Sequence, residues 1–385
     1  VGLSSEKLAR IGPWLERLQA ENKTPGAVTV VARRGQLVHF EAHGFADLEN
    51  NRPMRTDAIF ALASMSKPVA AVAVLLLMEE GKIQLDDPLE KFIPAFRDPR
   101  VAVARADAPG GYELIPANRS ITIHDLLTHR PGFPGAPVDD RPAVKLWQEG
   151  KKGLTSDRAT LAEYVDRIAR LPLNSQPGTE WRYADGTLVL GRVIEIAADR
   201  PLDQFLQERI FQPLGMVDTG FSIPEDKLDR AAVGYARKAG QPLARNYTPA
   251  AVVPKLLSLS GGLYATAADY LRFCQMLLNG GELDGHRLLK RESVALMATA
   301  VVAEIPLPFL AGQGYGLAVA VLQPGGKSTA RGSPGTYGWS GARNTYFRID
   351  PQQQLILAIF QQHSPPNDLE STYGFQNLVM DAVTE

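Results

Sequence analysis

The longest apolar run of the sequence covers Val69–Met78 and is soon followed by Gly81, a residue type that commonly ends helices. This run is too short to cross a bilayer, which needs about 20 apolar residues. A helix that is apolar on every face is stable only when other parts of the protein cover it on all sides. The run therefore predicts a helix buried inside a globular domain.

The residues just ahead of this run, Ser64-Met65-Ser66-Lys67, place a hydroxyl and an amine at the start of the helix. Residues three apart lie on the same helical face, so the Lys67 amine can reach the Ser64 oxygen. The first N–H groups of a helix lack intrahelical acceptors, and the helix dipole is positive there. The motif predicts an activated nucleophile. The alternative is a serine that caps the helix beside a solvated lysine.

The composition is typical of a globular protein with a large core, since 45% of the 385 residues are hydrophobic and 22% are charged. A net charge of −1 gives no electrostatic signal for nucleic acid or an anionic membrane surface, so we expect neither partner. The single cysteine, Cys274, excludes an internal disulfide and lies in an apolar helical pattern, which indicates a buried thiol.

Metal and targeting signals are absent from the sequence. His39 and His43 lie in a strand-like segment with no third ligand evident, so we expect no metal site and no cofactor. The first residues show no basic segment followed by an apolar one, so no signal peptide is predicted. The compartment and the oligomeric state stay open.

Strand patterns occur near both ends of the chain. Ala27–Ala32 and Leu37–Ala42 have the pattern of a hairpin, and further strands are predicted at Gly316–Leu322, Thr345–Ile349 and Leu355–Phe360. Because the strands come as hairpins and not as strand–helix–strand alternation, we expect an antiparallel sheet.

Helical patterns dominate the middle of the chain, without a linker or repeat. Helices are predicted at Leu3–Glu21, after Ser64, and at Ile123–Leu127, Ala159–Leu171, Leu188–Ala198, Leu202–Ile210, Ala267–Leu278 and Tyr373–Val383. We therefore predict an α+β fold with an antiparallel sheet flanked by helices. Residues 1–84 and 255–385 would form one discontinuous α/β body, residues 85–254 would form an inserted, mostly helical region, and the active site would lie between them.

Two later segments carry residues that complement a serine–lysine pair. Tyr183 stands two residues before Asp185 at the predicted start of a helix, and Trp339-Ser340-Gly341-Ala342 follows Gly338 in a strand-like segment. A serine that attacks an acyl carbon needs a further acid–base group and N–H donors for the oxyanion. In isolation, a half-buried aromatic residue at a helix start would be the favoured interpretation of Tyr183, and Ser340-Gly341 could equally be an ordinary strand or bulge.

Taken together, these motifs resemble the serine β-lactamase and penicillin-binding protein superfamily, specifically the class C-like branch that includes the family VIII carboxylesterases. Ser64-x-x-Lys67 matches the first motif of that superfamily. Tyr183-x-Asp185 matches the second, normally Tyr-x-Asn, and Trp339-Ser340-Gly341 stands where lactamases carry Lys-Thr-Gly. The connecting segments resemble the family in the same order, namely those at 123–129, 211–216 and 260–266. The likeness spans nearly the whole chain and implies a β-lactamase/transpeptidase-like fold.

The resemblance also implies roles for individual residues. Ser64 would be the nucleophile, with Lys67 and Tyr183 as a coupled acid–base pair in which neither is singled out as the base. The main-chain N–H groups of Ser64 and Ala342 would form the oxyanion hole. The substrate-binding residues would be Trp339, Ser340, Gly341, Asp185 and Arg343. His124 and His129, in one of the connecting segments, are interpreted as structural.

Two departures from the family pattern bear on the substrate. Trp339 replaces a lysine that pairs with the substrate carboxylate, and a charge-assisted contact contributes about 1.5–3 kcal/mol. Selectivity for carboxylate-bearing β-lactams should therefore fall by about tenfold or more, whereas neutral esters lose nothing. Arg343 lies close in sequence and would partly restore a positive charge.

An aspartate at position 185 only accepts hydrogen bonds and would hold Lys67 as an ammonium, which shifts the role of base toward Tyr183.

These features favour a serine carboxylesterase that acts on short-chain acyl esters as small-molecule substrates. Three other enzymes would use the same nucleophile: a class C-like β-lactamase, a D-amino-acid peptidase and an acyltransferase. The substrate of the first would be a β-lactam. A non-catalytic peptidoglycan-binding module is the alternative outside enzymes. The sequence lacks Gly-x-Ser-x-Gly, which argues against an α/β-hydrolase.

Overall fold

An eight-stranded antiparallel sheet forms the centre of the computed structural model, which describes residues 1–238, 240–325 and 328–384. The strands are β1 (Gly26–Arg33), β2 (Gln36–Asp47), β3 (Arg52–Pro53), β4 (Ile59–Ala61), β5 (Arg100–Ala104), β6 (Tyr112–Pro116), β7 (Gly234–Ala236), β8 (Ala244–Tyr247), β9 (Tyr264–Thr266), β10 (Glu282–Leu283), β11 (His286–Arg287), β12 (Gln313–Tyr315), β13 (Ala320–Leu322), β14 (Tyr337–Ser340), β15 (Tyr346–Asp350), β16 (Leu355–Phe360) and β17 (His363–Ser364).

The large sheet joins the two ends of the sequence. Its strand order is β12-β13-β14-β15-β16-β1-β2-β3, so β1 pairs with β16. The remaining strands form small sheets: β4 with β9, β5 with β6, β10 with β11, and β17 with β7 and β8. The antiparallel sheet and the β1–β2 hairpin expected from the sequence are thereby confirmed.

Helices surround the sheet. They are α1 (Ser5–Leu8), α2 (Ile11–Ala20), α3 (Lys67–Glu79), α4 (Ile123–Leu127), α5 (Pro142–Gly150), α6 (Leu161–Ile168), α7 (Gly186–Ala198), α8 (Leu202–Leu206), α9 (Ala267–Leu278), α10 (Arg291–Met297) and α11 (Leu369–Ala382), with a π-helical turn at Gln207–Phe211 and 3₁₀ turns at Ala63–Ser66, Leu89–Lys91, Pro94–Phe96, Pro109–Gly111, Glu225–Arg230 and Pro308–Leu310.

Side chains of the central strands alternate between two apolar layers, as the pleat of a strand requires. Val28 and Val30 of β1 belong to a core that includes α3 and α9. Ala27 and Val31 belong to a second core, formed with α1, α2 and α11. Every residue of β1 is buried because both faces of the sheet are covered.

α3 lies inside the larger core, and all of its residues from Lys67 to Leu77 are buried. This confirms the buried helix expected from the apolar run. α7 packs against α3 and carries Tyr183 at the end of the loop ahead of it. Within the described residues, every helix falls short of the length and apolarity that a membrane span requires.

Several elements differ from the sequence-based expectation. The helix predicted at Leu3–Glu21 is divided into α1 and α2, because Pro13 has no N–H to donate to the carbonyl of Ala9. The strand predicted at Gly316–Leu322 is shorter, since Ala318 has a left-handed backbone with φ of 59°. The segment at 85–254 supplies α4–α8, but it also contains β5–β8.

Candidate active site

Ser64 lies in the 3₁₀ turn that leads directly into α3. The chain ahead of the turn is fixed because β4 pairs with β9 and the Leu62 N–H donates to the carbonyl oxygen of Leu263 at 2.9 Å. Ala63 has a left-handed backbone with φ of 47°, which costs a non-glycine residue about 1–3 kcal/mol. The resulting bend presents a half-buried Ser64 at the N-terminal end of the buried helix.

Lys67 is the first residue of α3 and is only 3% exposed. Its Nζ donates to Ser64 Oγ at 3.1 Å and to the main-chain oxygen of Ser260 at 2.6 Å. The same atom lies 4.5 Å from the centre of the Tyr183 ring, within cation–π range. None of these three partners is a carboxylate. Lys67 can therefore exchange a proton with the Ser64 hydroxyl.

Tyr183 reaches the same point from the loop ahead of α7. Its N–H donates to the carbonyl oxygen of Ala136 at 2.8 Å, and the Ala136 N–H donates back at 3.1 Å. The indole N–H of Trp339 donates to the phenolic oxygen of Tyr183 at 3.2 Å. An N–H donor in this position can stabilise negative charge that develops on the phenolic oxygen when its proton leaves.

The structure therefore gathers Ser64, Lys67 and Tyr183 around one ammonium group. Ser64 and Lys67 come from the segment 1–84, and Tyr183 comes from the segment 85–254. We propose, as the sequence led us to expect, that the active site lies between these two parts of the chain.

The turn after β14 brings a second main-chain N–H toward Ser64. Gly341 has no space for a side chain, because an added Cβ would lie 2.3 Å from the carbonyl oxygen of Leu62. The Thr345 hydroxyl also donates to the Leu62 carbonyl, at 3.0 Å. Within the described residues, the N–H groups of Ser64 and Ala342 donate to no other main-chain group. The oxyanion hole assigned to these two N–H groups remains a proposal supported by this geometry.

The residues predicted to bind substrate separate into two groups. Ser340 is half-buried and Ala342, next to Gly341, is exposed, so the turn after β14 faces accessible space. Trp339 is 5% exposed, and its N–H is directed at Tyr183. The indole therefore acts on the phenol and presents little surface to a substrate.

Asp185 does not hold Lys67, contrary to the expectation from its position in the motif. Its Oδ2 accepts from Lys151 Nζ at 2.8 Å and from the Tyr164 hydroxyl at 3.0 Å. Burial, followed by the charge of Asp185, raises the pKa of Tyr164. The aspartate thus ties the start of α7 to Lys151, just after α5, and to α6 instead of binding Lys67.

Arg343 packs against the ring of Tyr247. Its guanidinium carbon lies 3.9 Å from the centre of the Tyr247 ring, and burial lowers the pKa of Arg343. The Trp339 indole occupies the place beside Tyr183. Arg343 therefore does not replace the missing lysine of the third motif at that place.

An aromatic cluster surrounds the Tyr183 ring, made up of His129, Trp181, Tyr315 and Trp339. Burial, and then the charge of Lys67, lowers the pKa of His129 well below its ordinary value. Burial, and then the neighbouring Tyr183, raises the pKa of Tyr315. Both neighbours therefore stay uncharged at neutral pH.

Sequence reasoning missed two contributors to the site. The Ser260 carbonyl binds Lys67, and His129 contacts Tyr183. Both lie in segments that resemble the family. Any residue type supplies a main-chain oxygen, so the sequence does not point to Ser260, and the sequence alone indicates a structural role for His129. Among the described residues, no group of three or more metal-ligating side chains converges.

Asp185→Asn should leave the rate of hydrolysis within about threefold of wild type, because the carboxylate acts on Lys151 and Tyr164 and not on Lys67. The lost ion pair should lower the melting temperature by about 2 °C or less. Initial rates and thermal denaturation of the purified variant measure both. A rate loss of two orders of magnitude would place Asp185 in the chemistry.

Several known proteins are similar to this chain over most of its length. The family model described as Beta-lactamase matches residues 13–378. Esterase EstB of Burkholderia gladioli is 33% identical over 368 residues, covering 89% of this chain and 87% of EstB. Penicillin-binding protein 4 of Amycolatopsis lactamdurans is 29% identical over 355 residues, covering 90% of this chain and 84% of that protein. The solved structure of EstCE1, a hydrolase with promiscuous acyltransferase activity, is similar with a TM-score of 0.81 at 26% identity and covers 98% of both chains.

Proposed function

This chain belongs to the beta-lactamase family, and we propose that it is a serine carboxylesterase that hydrolyses short-chain neutral acyl esters through a covalent acyl-enzyme on Ser64. The resemblance and the α+β, β-lactamase/transpeptidase-like fold class expected from the sequence are confirmed. The chain is a serine hydrolase of this superfamily with esterase relatives. The preference for neutral esters is the proposal.

The observation that carries the proposal is the indole of Trp339 beside the phenol of Tyr183. A lysine at this place would offer a charge to a substrate carboxylate, whereas an indole offers one N–H that Tyr183 already accepts. Arg343 stacks on Tyr247 and adds no charge beside Tyr183. A neutral ester needs no such cation, so the arrangement favours esters over carboxylate-bearing β-lactams.

A groove of about 440 Å³, lined in part by Gly261 and Gly262, gives a place for the acyl or alcohol group. It extends to Gly261, where an added Cβ would lie 3.3 Å from the carbonyl carbon of Ala63. Its described lining contains apolar and aromatic side chains and one charged group, Asp157, but no lysine or arginine. Asp157 is exposed and paired with Arg158, so the apolar part of the lining is what suits the acyl chain of a neutral ester.

In the proposed acylation step, Ser64 Oγ attacks the ester carbonyl carbon while its proton passes to the Lys67–Tyr183 pair. The carbonyl oxygen becomes an oxyanion between the N–H groups of Ser64 and Ala342. Removing one such donor typically raises the barrier by about 2.7–4 kcal/mol. The tetrahedral intermediate then collapses, the ester C–O bond breaks, and the departing alkoxide takes the proton from the pair.

Deacylation reverses these roles with water in place of the alcohol. The Lys67–Tyr183 pair takes a proton from water, the hydroxide attacks the acyl carbon, and Ser64 Oγ leaves and regains a proton. The Lys67 amine lies 4.5 Å from the centre of the Tyr183 ring, close enough for the two groups to share the proton. The Trp339 N–H would stabilise the phenolate form during both steps.

Comparison of two chromogenic substrates tests the substrate class. We expect kcat/KM for p-nitrophenyl butyrate to exceed that for nitrocefin by about tenfold or more, because the cationic contact to the cephalosporin carboxylate is missing. A series of p-nitrophenyl esters of increasing chain length would define the acyl limit. Equal or faster turnover of nitrocefin would instead support a β-lactamase.

Two other functions keep the same nucleophile. The similarity to penicillin-binding protein 4 favours a class C-like β-lactamase or D-amino-acid peptidase as the second candidate. The similarity to EstCE1 raises acyl transfer as an accompanying activity. Addition of an alcohol or amine separates transfer from hydrolysis, since a transferase forms the new ester or amide in place of the free acid.

A further inference from the structure

His129 has features that a purely structural histidine does not need. Its side chain is 1% exposed, and its Nε2 has no hydrogen-bond partner within the described residues. A buried N–H without a partner is unfavourable, and an apolar side chain would fill the same space without that penalty. The backbone is also left-handed at this position, with φ of 56°, a conformation that asparagine, aspartate and histidine tolerate better than most residues.

The remaining atoms of His129 contact the chain on both sides of Tyr183. The His129 carbonyl oxygen accepts the N–H of Arg182 at 2.8 Å. The ring Nδ1 accepts the N–H of Ala184 in a long hydrogen bond of 3.5 Å. The imidazole also packs against the Tyr183 ring, with 4.7 Å between the ring centres. One residue thus holds both neighbours of Tyr183 and its aromatic ring.

The charge state of His129 fits this arrangement. Only a neutral imidazole has a lone pair on Nδ1 to accept the Ala184 N–H, and that tautomer carries its proton on Nε2. Burial and the ammonium of Lys67 both lower the pKa of His129, so the neutral form persists at neutral pH. The titratable groups that face the ring are Lys67, Tyr183 and Tyr315 among the described residues.

We propose that His129 is a positioning residue for Tyr183, whose carbonyl oxygen and neutral imidazole hold residues 182–184 so that the phenol stays beside Lys67. This inference rests on the proposed function, because it assumes the acid–base role of Tyr183. A displaced phenol would slow proton transfer without removing contacts to the substrate. The effect should therefore appear in kcat and only weakly in KM.

Two substitutions separate the acceptor at Nδ1 from the rest of the side chain. His129→Asn keeps an oxygen close to the Nδ1 position and tolerates the left-handed backbone, whereas His129→Ala removes the acceptor. We expect the alanine variant to lose about 100-fold in kcat on p-nitrophenyl butyrate, with KM changed by less than about threefold. The kcat of the asparagine variant should be at least about tenfold higher than the kcat of the alanine variant.

The pH profile gives a readout that a loss of stability alone would not move. The limb of kcat/KM assigned to the Lys67–Tyr183 pair should shift by about half a pH unit or more in His129→Ala and return toward wild type in His129→Asn. Rates are expressed per Ser64 labelled by a phosphonate, so that unfolded protein is not counted. His124→Ala is the matched control; it lies one turn earlier, at the start of α4, and should retain kcat within about threefold.

If the alanine variant does not fold, His129→Gln replaces it, since glutamine places its polar end near Nε2 and leaves the Ala184 N–H without an acceptor. The glutamine variant should then be slow and the asparagine variant fast. Equal kcat in these two variants, or wild-type kcat in His129→Ala, would overturn the inference. A wild-type protein that neither hydrolyses esters nor takes the phosphonate label would overturn the proposed function itself.

Discussion

Ser64→Ala should lower kcat/KM for p-nitrophenyl butyrate by about 10⁴-fold or more. Without Oγ no acyl-enzyme can form, and only water in the site remains as a nucleophile. Lys67 keeps its hydrogen bond to the Ser260 carbonyl, so we expect the pocket and the fold to persist. Initial-rate kinetics measure the loss. Mass spectrometry should find a phosphonate adduct on the Ser64 peptide of the wild type and none in the variant.

Ser66→Ala provides the matched control, because Ser66 lies in the same 3₁₀ turn. Its hydroxyl oxygen accepts the N–H of Leu263 at 3.1 Å. Its loss should therefore affect stability, by about 1 kcal/mol, more than chemistry. An adduct that survives Ser64→Ala and disappears in Ser66→Ala would reassign the nucleophile.

Tyr183→Phe should lower kcat by about 10²–10⁴-fold, the usual contribution of a positioned acid–base group. The substitution removes one oxygen and keeps the ring that packs against Lys67, Trp339 and His129. The melting temperature should therefore change by only a few degrees, about what one lost hydrogen bond produces. Single-turnover experiments with p-nitrophenyl acetate should show that both acylation and deacylation become slower.

Tyr164→Phe is the corresponding control for a lost phenolic oxygen. The Tyr164 hydroxyl donates to Asp185, which retains Lys151 as a partner. We expect hydrolysis by this variant to stay within about threefold of wild type. Tyr183→Phe with an unchanged rate would remove Tyr183 from the mechanism, whatever the outcome for Tyr164.

The parts of the fold that the sequence predicted are those in which the local pattern and the burial agree. The apolar run at 69–78 predicted a buried helix, and the two strand patterns at 27–42 predicted a hairpin. Ile123–Leu127 and Ala267–Leu278 match the expected helices to the residue. The hairpin of β5 and β6 escaped prediction because several of its residues are exposed, and the weak pattern resembles a loop.

The chemistry of the site was predictable by residue type, but the direction of each side chain was not. Asp185 and Arg343 lie where the motifs place them in sequence, yet one pairs with Lys151 and the other stacks on Tyr247. These partners come from the C-terminal end of α5 and from β8, elements that no motif connects to the site. The N–H of Trp339, a residue predicted to bind substrate, donates to Tyr183, a contact that the motif does not indicate. Tertiary partners of this kind depend on how distant segments pack, which a linear motif does not encode.

The pairing of β1 with β16 has a consequence for biosynthesis. β1 leaves the ribosome long before Leu355–Phe360, the strand that covers one of its edges, has been made. Until then, a strand of buried side chains exposes an unpaired edge that other nascent chains can bind. Slow translation of the segment between the two strands, or a stop codon within it, should therefore favour aggregation.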